Sequence, residues 1–376
     1  MRFSHVCISM HFIKTVALAA NGEGFGHASR MVSMVQELHG SYKLVLYAPP
    51  AVERFVRGKL GIDLSAAVDF VPVPAFELCR EGERVRYMKS IRRNLGLVAS
   101  LPRLLVHLRR DMRARGLSCL VSDFEPISTL AATALGIPVL QVNHPGVVHK
   151  SHSIMPDAIM AKLTATLMMG RYDKRILVCF YDGDAGPVLR REIARQEPTC
   201  GEHIVVSVKR EYRAEVLACL EDQPAGRVLV YPEANEKLPY EKALASCMAV
   251  ITSAGHQTLS EAICLGKPVF AIPQRGQFEQ RLNAIRLHEC GWGSWSCLKG
   301  IEPKLQHFLA LAKKGDFPHK PQNPWMRRYS NDCSAMLSMR IRDFIDGSEG
   351  KTAHPAAWAI ARSAIDSAER AERTAG

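Results

Sequence analysis

The sequence predicts an α/β protein built from two doubly wound, Rossmann-like parallel-sheet domains that face a cleft. Three observations support this fold class. Continuous runs rich in Val, Ile, Leu and Ala alternate with helical patterns along most of the chain, which is typical of strands that helices bury on both faces. The 376 residues are enough for two hydrophobic cores. A hydrophobic content of 47% with 23% charged residues is that of a globular protein.

The first half of the chain contains five apolar runs that we interpret as strands. Each is short and is bounded by a turn or a helical pattern, so we expect all five to lie in one buried parallel sheet. The predicted strands are 13–20, 43–47, 68–73, 119–121 and 139–142. The predicted helices between them are 28–38, 50–60, 88–115 and 126–135.

The second half repeats this alternation and predicts a second parallel sheet. Its predicted strands are 203–208, 227–231, 249–252 and 269–272, and its predicted helices are 210–221, 256–265 and 278–290. Right-handed crossovers would make each half doubly wound. We therefore expect an N-terminal domain over 1–198, a C-terminal domain over 199–346 and an Ala- and Arg-rich helical tail over 347–376.

Charge and cysteine content restrict the partners and the compartment. The chain has 49 Lys and Arg against 37 Asp and Glu, a net charge of +12, which favours an anionic partner or only a basic, soluble surface. Without a basic strip interleaved with aromatics or a zinc-finger spacing, specific nucleic-acid binding is not expected. The eleven cysteines form no C-x-x-C pair, so we expect neither a zinc site nor a disulfide framework, and a reducing cytoplasm. No signal peptide or transmembrane run is expected either.

A glycine-rich turn, Asn21-Gly-Glu-Gly-Phe-Gly-His27, follows the first predicted strand. Its glycines Gly22, Gly24 and Gly26 allow a tight turn and a close approach of a ligand to the backbone. They do not have the dinucleotide-binding spacing, and Tyr47-Ala-Pro-Pro50 stands at the end of the second strand in place of the expected acidic residue, so NAD binding is disfavoured. His27 is therefore either a base at the mouth of the sheet or only a helix-capping histidine.

Asp123 ends the fourth predicted strand, just before a helix that begins with proline. It is either the N-cap of that helix or part of a site, because ligands of open α/β sheets bind at the carboxyl edge where the glycine turn also lies. If Asp123 contacts His27, the carboxylate would fix the imidazole tautomer and favour proton abstraction from a hydroxyl.

The most informative stretch runs from Thr252 to Glu261 in the second half. A helix that begins at Gly255 presents free N–H groups to a diphosphate, with His256, Gln257 and Thr258 in its first turn. Glu261 would then bind a ribose diol. The remaining predicted donor contacts are Glu279 and Gln280 for the transferred sugar and, as a cation, Lys209 or Arg210. The alternative is a plain capped helix with Ser253 or Thr252 as the cap and Glu261 on the surface.

Two weaker patterns each allow two interpretations. Asp182-Gly-Asp184 follows an apolar run, and an Asp-Gly turn is a commoner meaning than a metal ligand on a diphosphate. The Met-rich segment 154–169 is favoured as core packing, with a membrane-touching helix or an acceptor-site wall as alternatives.

Together these motifs resemble the GT-B superfamily of nucleotide-sugar glycosyltransferases. The nearest similarity is to family-28-like enzymes, including the one that makes lipid II, and to an uncharacterised bacterial and archaeal branch. Ala-Gly-His-Gln-Thr-Leu-Ser-Glu261 resembles the G-G-x-x-S/T-x-x-E box, Glu279-Gln-Arg-Leu-Asn-Ala284 the D/E-Q-x-x-N-A box, and Gly26-His27 the G-H of the N-terminal loop. Ala254 departs from the family glycine, and His256 is an uncommon residue at its position.

The resemblance implies an inverting glycosyltransferase without a cofactor or bound metal, using a nucleoside-diphosphate sugar, by family frequency a UDP-sugar. His27 would be the base and Asp123 its orienting partner. The expected acceptor is unknown, with a lipid-linked or polysaccharide acceptor at the inner face of the membrane as one option. Two rival functions remain open: a nucleotide-sugar 2-epimerase, which would need carboxylates such as Glu23, Asp123 and Glu125 around the hexose, and a non-catalytic nucleotide-sugar-binding protein.

Overall fold

Two parallel β-sheets form the centre of the structure, a computed structural model. It describes residues 13–77, 79–81, 84–224, 226–232, 238–317 and 331–348. One sheet comes from the first half of the chain and the other from the second. Among the described residues, the predicted α/β class with two parallel-sheet domains is confirmed.

The first sheet has six described strands, all paired in parallel. In chain order these strands occupy sheet positions 3-2-1-4-5-6, which is the Rossmann order. Its strands are β1 Thr15–Ala20, β2 Lys43–Ala48, β3 Val68–Pro72, β6 Leu117–Asp123, β7 Val139–Asn143 and β8 Lys174–Leu177. A separate antiparallel hairpin is formed by β4 Arg80–Glu81 and β5 Arg84–Val85.

The second sheet has five described strands, also parallel, in chain order 2-1-3-4-5. This is the other common doubly wound order. Its strands are β9 Ile204–Ser207, β10 Val228–Val230, β11 Ala249–Ser253, β12 Val269–Ile272 and β13 Gly293–Trp295. In both sheets the strand order reverses once, which leaves a crevice at the carboxyl ends of the two strands at that point.

Helices cover both faces of each sheet. The helices are α1 Phe25–Leu38, α2 Pro50–Leu60, α3 Ile62–Ala66, α4 Tyr87–Arg115, α5 Pro126–Ala134, α6 Pro156–Met169, α7 Arg191–Ala194, α8 Arg213–Ala218, α9 Tyr240–Ser246, α10 His256–Cys264, α11 Phe278–Glu289 and α12 Ile301–Lys314. Helices α1 and α2 bury one face of the first sheet, and α4 and α5 bury the other. Helices α9, α10 and α11 cover one face of the second sheet, and α8 and α12 the opposite face.

The last described helix, Ser334–Gly347, returns to the first sheet. Its Leu337, Ile341 and Ile345 are buried in the same core cluster as α1 and α2. The chain therefore crosses between the two sheets twice. The domain limits 1–198 and 199–346 remain predictions. This helix packs against the first domain. The predicted tail helix 347–376 lies outside the described residues from position 349 onward.

Some predicted elements differ from those observed. The predicted helix 210–221 is a 3₁₀ turn, Arg210–Tyr212, followed by the short α8. Strands β8 and β13 were not predicted: β8 begins with two basic residues, and β13 has only three residues and begins with glycine. A second 3₁₀ turn, Pro145–Lys150, leads from β7 toward α6. None of the described helices is long and apolar enough to span a membrane.

Candidate active site

His27 and Asp123 come together at the point where the strand order of the first sheet reverses. The last pair of the β1–β6 ladder joins Ala20 to Asp123, so both strands end at the same level. His27 lies in the first turn of α1, and its Nδ1 is 2.7 Å from Oδ1 of Asp123. Asp123 has no exposed surface, and His27 is 8% exposed. The predicted contact between these two side chains is present.

The local structure rules out the two capping alternatives for these residues. The N-cap of α1 is Gly24, with no side-chain hydrogen bond, so His27 is not a helix cap. The N-cap of α5 is Glu125, whose carboxylate accepts from Ile127 N and Ser128 N at 2.8 and 2.7 Å. Burial raises the pKa of Glu125 to about 7, although these two hydrogen bonds act to lower it. Because Glu125 caps the helix, the Asp123 carboxylate is left for His27.

A third side chain, Arg30, completes this cluster. Its Nε donates to Asp123 Oδ2 at 2.7 Å and its Nη2 to Asp123 Oδ1 at 3.0 Å. Burial alone would raise the pKa of Asp123, but Arg30 and then His27 hold it below its usual value. Sequence analysis missed Arg30, although it stands one helical turn after His27 and so shares its helix face.

The backbone next to Asp123 is strained. Phe124 has a φ of 62°, a left-handed conformation that a bulky residue rarely adopts. Asn21 donates from Nδ2 to the Phe124 carbonyl at 3.0 Å, and the Phe124 ring lies parallel to that of His27 with 6.1 Å between centroids. Strain held in place by such contacts is common at functional sites.

The three glycines of the N-terminal loop have separate structural roles. A Cβ at Gly22 would lie 2.7 Å from the Ala75 side chain, so this position requires a close approach. Gly24 has a φ of 76°. A Cβ at Gly26 would lie 3.5 Å from Cβ of Gln257 in α10. The start of α1 therefore faces the start of α10 across the boundary between the two sheets.

Helix α10 begins next to Gly255, where the sequence predicted a helix start. Gly255 is its N-cap without a side-chain hydrogen bond, and the backbone N–H of Leu259 bonds back to the Gly255 carbonyl. The N–H groups of His256, Gln257 and Thr258 precede that bond. The capping alternative is wrong, because Thr252 donates to the Ser207 carbonyl and Ser253 accepts from the Lys209 N–H.

Glu261 is not on the surface; it is 2% exposed. Its carboxylate accepts hydrogen bonds from Gln257 at 3.2 Å and Tyr240 at 3.3 Å, and Arg190 lies 3.5 Å away. This carboxylate is therefore already held by protein groups from α9, α10 and the segment after β8. Any ribose bound there would share it with Gln257.

The other predicted donor residues lie around the same edge of the second sheet. Gln280 accepts from the Gln274 N–H at 2.9 Å, and Lys209 Nζ donates to Gln274 Oε1 at 2.9 Å. Arg210 is exposed in the 3₁₀ turn after β9. Burial raises the pKa of Glu279, with His27 and Arg30 opposing that rise. The carboxylate of Glu279 is thus within electrostatic reach of the His27 cluster.

Comparison with known proteins decides the family. The family model described as glycosyl transferase family 1 matches residues 15–312, more than half of the chain. This chain belongs to that family. It is therefore a glycosyltransferase. Among curated proteins, none matched the sequence significantly.

Solved structures show that this glycosyltransferase has the GT-B fold. A UDP-glucosyltransferase from Polygonum tinctorium superposes with a TM-score of 0.59 at 15% identity, covering 90% of this chain and 100% of that one. MurG from Acinetobacter baumannii gives 0.53 at 14% identity, over 89% and 100%. LpCGTa, solved with UDP, gives 0.56 at 14% identity, over 90% and 100%. At these identities the likeness concerns the fold alone.

His144, which sequence analysis missed, connects the two domains of the glycosyltransferase. It follows β7, and its Nε2 lies 2.9 Å from Asn283 Oδ1 and 3.6 Å from Glu279 Oε1 on α11. Asn283 also donates to the Ala254 carbonyl, just before α10. Burial lowers the pKa of His144 to about 3. The sequence signal was the polar run Gln-Val-Asn-His144 at a strand end.

His144, Cys179 and His256 form a buried cluster whose ligand atoms all lie within 4.8 Å of one another. The two imidazoles are stacked, with 3.8 Å between centroids and 18° between planes. A nitrogen lone pair lies in its ring plane, and two stacked rings with so small an angle between their planes cannot both direct a lone pair at one nearby ion. Burial also raises the pKa of the Cys179 thiol to about 12. This arrangement suits interdomain packing better than metal ligation.

The Asp182-Gly-Asp184 pattern is a turn in the structure. Asp184 accepts from the Leu177 N–H at 2.8 Å, and Asp182 pairs with Lys150 at 3.1 Å. Both carboxylates thus have protein partners. For the Met-rich segment 154–169, the core-packing prediction is half correct. Ala158, Ala165 and Met169 on α6 are buried, whereas Ile159, Met160, Leu163 and Leu167 on α6, and Ile154 and Met155 just before it, are exposed.

Proposed function

We propose that this glycosyltransferase moves a sugar, with inversion and without a metal, from a nucleoside-diphosphate donor to an acceptor hydroxyl. The observation that carries the proposal is the contact between His27 and Asp123, placed opposite the start of α10. A base on one domain and an anion-binding helix start on the other are what an in-line displacement requires. We favour UDP as the leaving group, in keeping with the UDP-bound structural relative.

In the proposed mechanism, His27 takes the proton of the acceptor hydroxyl. Its Nδ1 contacts Asp123, so Nε2 is the nitrogen that accepts the proton. The acceptor oxygen forms a bond to the anomeric carbon while the bond from that carbon to the diphosphate oxygen breaks. The Gly255 N–H is taken up by the Ser253 carbonyl at 2.7 Å. The N–H groups of residues 256–258 and the Thr258 hydroxyl would therefore stabilise the leaving diphosphate, with Lys209 or Arg210 adding a cation.

The remaining donor contacts belong to the same proposal. Glu279 and Gln280 would bind the transferred sugar. Glu261 would bind the ribose through the same carboxylate that accepts a hydrogen bond from Gln257. Metal independence is supported by Asp184, whose carboxylate accepts a hydrogen bond from the Leu177 N–H. Calorimetry with nucleoside diphosphates should show weaker binding for Glu261→Ala than for the unchanged protein. Equal affinities would remove Glu261 from the donor site.

His27→Ala tests the base directly. We expect turnover to fall by about 10²–10⁴-fold, the usual contribution of a general base, while the donor affinity measured by calorimetry stays within about threefold. A thermal-shift panel of nucleoside-diphosphate sugars first identifies the donor, since a ligand of the native state raises the melting temperature. Normal turnover in the His27→Ala variant would refute this mechanism.

The 2-epimerase alternative is less well supported by the geometry. Of the carboxylates it would need around the hexose, Glu125 caps α5 and Asp123 is held by Arg30 and His27. Incubation with the donor alone separates the functions. Slow hydrolysis of the donor supports the transferase, an epimerised sugar supports the epimerase, and binding without turnover against any acceptor supports a non-catalytic role.

A lipid-linked acceptor at the cytoplasmic face of a membrane is the acceptor that the surface of the protein favours. In the first half of α4, Met88, Ile91, Leu95 and Val98 lie at helical spacing, and each is at least half exposed. No acidic residue occurs between Arg84 and Arg110. A helix with an apolar stripe flanked by basic residues binds anionic bilayers.

Vesicle sedimentation tests this surface. We expect binding to vesicles that contain an anionic phospholipid and not to neutral ones, with loss of binding at high salt. Ile91→Ser with Leu95→Ser should weaken binding at least tenfold. Ile62→Ser is the matched control, because Ile62 is 89% exposed but lies on α3, away from the apolar stripe of α4. Equal binding by all variants would contradict the membrane contact.

A further inference from the structure

Arg30 is placed so that it controls the charge state of the two residues proposed for proton abstraction. It stands on the same helix face as His27, is 2% exposed, and binds both oxygens of Asp123. Its Nη2 also lies 3.1 Å from Nδ1 of His27. The three side chains thus share one buried site with a single carboxylate between two cationic or potentially cationic groups.

The hydrogen bonds fix where the protons lie. Asp123 is ionised beside Arg30, and its Oδ1 is 2.7 Å from His27 Nδ1, so Nδ1 carries the hydrogen that it donates to the carboxylate. An Nδ1–H group cannot accept from Arg30, so the 3.1 Å approach of Nη2 is a contact between a permanent cation and the ring. A second proton on His27 would place another positive charge next to that cation, and the repulsion disfavours this protonation.

Other charged groups around His27 do not replace Arg30. Glu279 on α11 interacts electrostatically with His27 from across the cleft. His144 after β7 and His256 on α10 also interact with it, and burial lowers the pKa of both. Asp123 on β6 therefore supplies the nearest negative charge, and Arg30 neutralises that charge.

We propose that Arg30 is a positioning residue that keeps His27 a neutral, Nδ1-protonated imidazole, by pairing with Asp123 and by placing a fixed cation beside the ring. Without Arg30, a lone buried Asp123 would draw a second proton onto His27 and form an imidazolium–carboxylate pair. Such a pair holds no free lone pair on Nε2. The inference rests on the proposed function only for the consequence that this neutral form is the active base.

The direct test is a titration of His27 by ¹⁵N NMR on the full-length protein, with the signal assigned by its loss in His27→Gln. In the unchanged protein at pH 7.5 we expect the neutral Nδ1–H tautomer. In Arg30→Gln, which removes the charge, the midpoint of the His27 titration should move up by about 1–2 pH units. Arg30→Lys keeps a cation without the bidentate geometry and should move it by less than half of that shift.

These outcomes decide the inference without any measurement of turnover. Equal midpoints in the unchanged protein and Arg30→Gln would overturn it, as would an imidazolium in the unchanged protein at pH 7.5. Melting temperatures show which variants fold. If Arg30→Gln does not fold, the tautomer of the unchanged protein and the midpoint of Arg30→Lys still decide, because a rise of a full unit in Arg30→Lys would contradict the role of the cation.

Turnover then separates this inference from the proposed function. If His27 is the base, Arg30→Gln should lose at least tenfold in kcat at pH 6.5 and recover most of it at pH 9, whereas a purely structural role would lower kcat equally at both values. A shifted NMR midpoint with no change in the pH profile would uphold the inference about Arg30 and refute His27 as the base.

Discussion

At the scale of single residues, the site depends on the carboxylate of Asp123, which is fully buried. Asp123 is stable as an anion only because Arg30 and His27 approach it at hydrogen-bond distance. A buried ion pair adds little net stability when both partners are present, but removal of one partner leaves the other charged and unpaired. Arg30 and Asp123 are therefore mutually dependent.

Asp123→Asn should lower the free energy of unfolding by about 3 kcal/mol, because it leaves the buried Arg30 guanidinium without a counter-charge. Urea denaturation at pH 7 measures this change. The matched control is Asp69→Asn: Asp69 pairs with Arg115 at 2.8 Å, but its side chain is 48% exposed, so the loss should stay within about 0.5 kcal/mol. Similar losses in the two variants would contradict the buried-pair account.

The sequence indicated several site residues near strand ends, but it did not indicate the contacts that depend on how the two domains pack. His27, Asp123 and Gly255 could be predicted because each follows a strand that ends at the carboxyl edge of its sheet. The contact of His144 with Asn283 depends on how the two domains dock, and no local pattern encodes that. The burial of Glu261 under Tyr240 and Arg190 depends in the same way on packing.

At the scale of elements, the tight turn before α1 sets the position of His27. Gly24, the N-cap, has φ of 76° and ψ of 171°, a region that only glycine occupies readily. A side chain here would force the turn to change and would move the first residues of α1. The structural reason for this glycine is therefore backbone conformation, not space, because nothing lies within 4 Å of an added Cβ.

Gly24→Ala should lower the free energy of unfolding by about 1–3 kcal/mol through backbone strain. Gly96→Ala is the control, since Gly96 lies inside α4 with an ordinary helical φ and open space around an added Cβ. That substitution should raise stability by about 0.5–1 kcal/mol. Thermal and urea unfolding measure both changes. If the two substitutions changed the free energy of unfolding in the same direction, the strain account would be contradicted.

Several long helices were predicted from the sequence, whereas the 14-residue α12 and some of the shortest elements were not. Helices α1, α2, α4, α5 and α11 were placed within three residues at each end because they carry a clear apolar period or begin with proline. Strand β13 and the hairpin β4–β5 have only two or three residues each, too few for any period. Their formation depends on the neighbouring chain rather than on their own sequence.

At the scale of the whole molecule, the interface between the domains contains two buried histidines. Burial lowers the pKa of His144 to about 3 and that of His256 well below its usual value. In the unfolded chain both would titrate near about 6.5. The unfolded state therefore binds more protons than the native state below that pH, and stability falls as the pH is lowered.

Between pH 6 and pH 4, each of these histidines should remove roughly 1 kcal/mol of unfolding free energy per pH unit. His144→Gln should lose that part of the slope, because it cannot take up the proton in either state. Urea unfolding of both proteins at pH 6, 5 and 4 measures the difference between their slopes, in which contributions from other groups cancel. Parallel curves would show that His144 is already protonated in the native protein.

The two chain segments that cross between the domains are hydrogen-bonded to α1, the helix that carries His27. Ser33 on α1 donates to the Leu189 carbonyl and contacts the Ser334 hydroxyl at 3.0 Å, while Asp332 accepts from the Leu189 N–H. Both crossings are thus anchored on α1, in the same helix as His27. Because Asp123 ends a strand of the same sheet, a displacement of the second domain would leave the 2.7 Å contact between His27 and Asp123 in place.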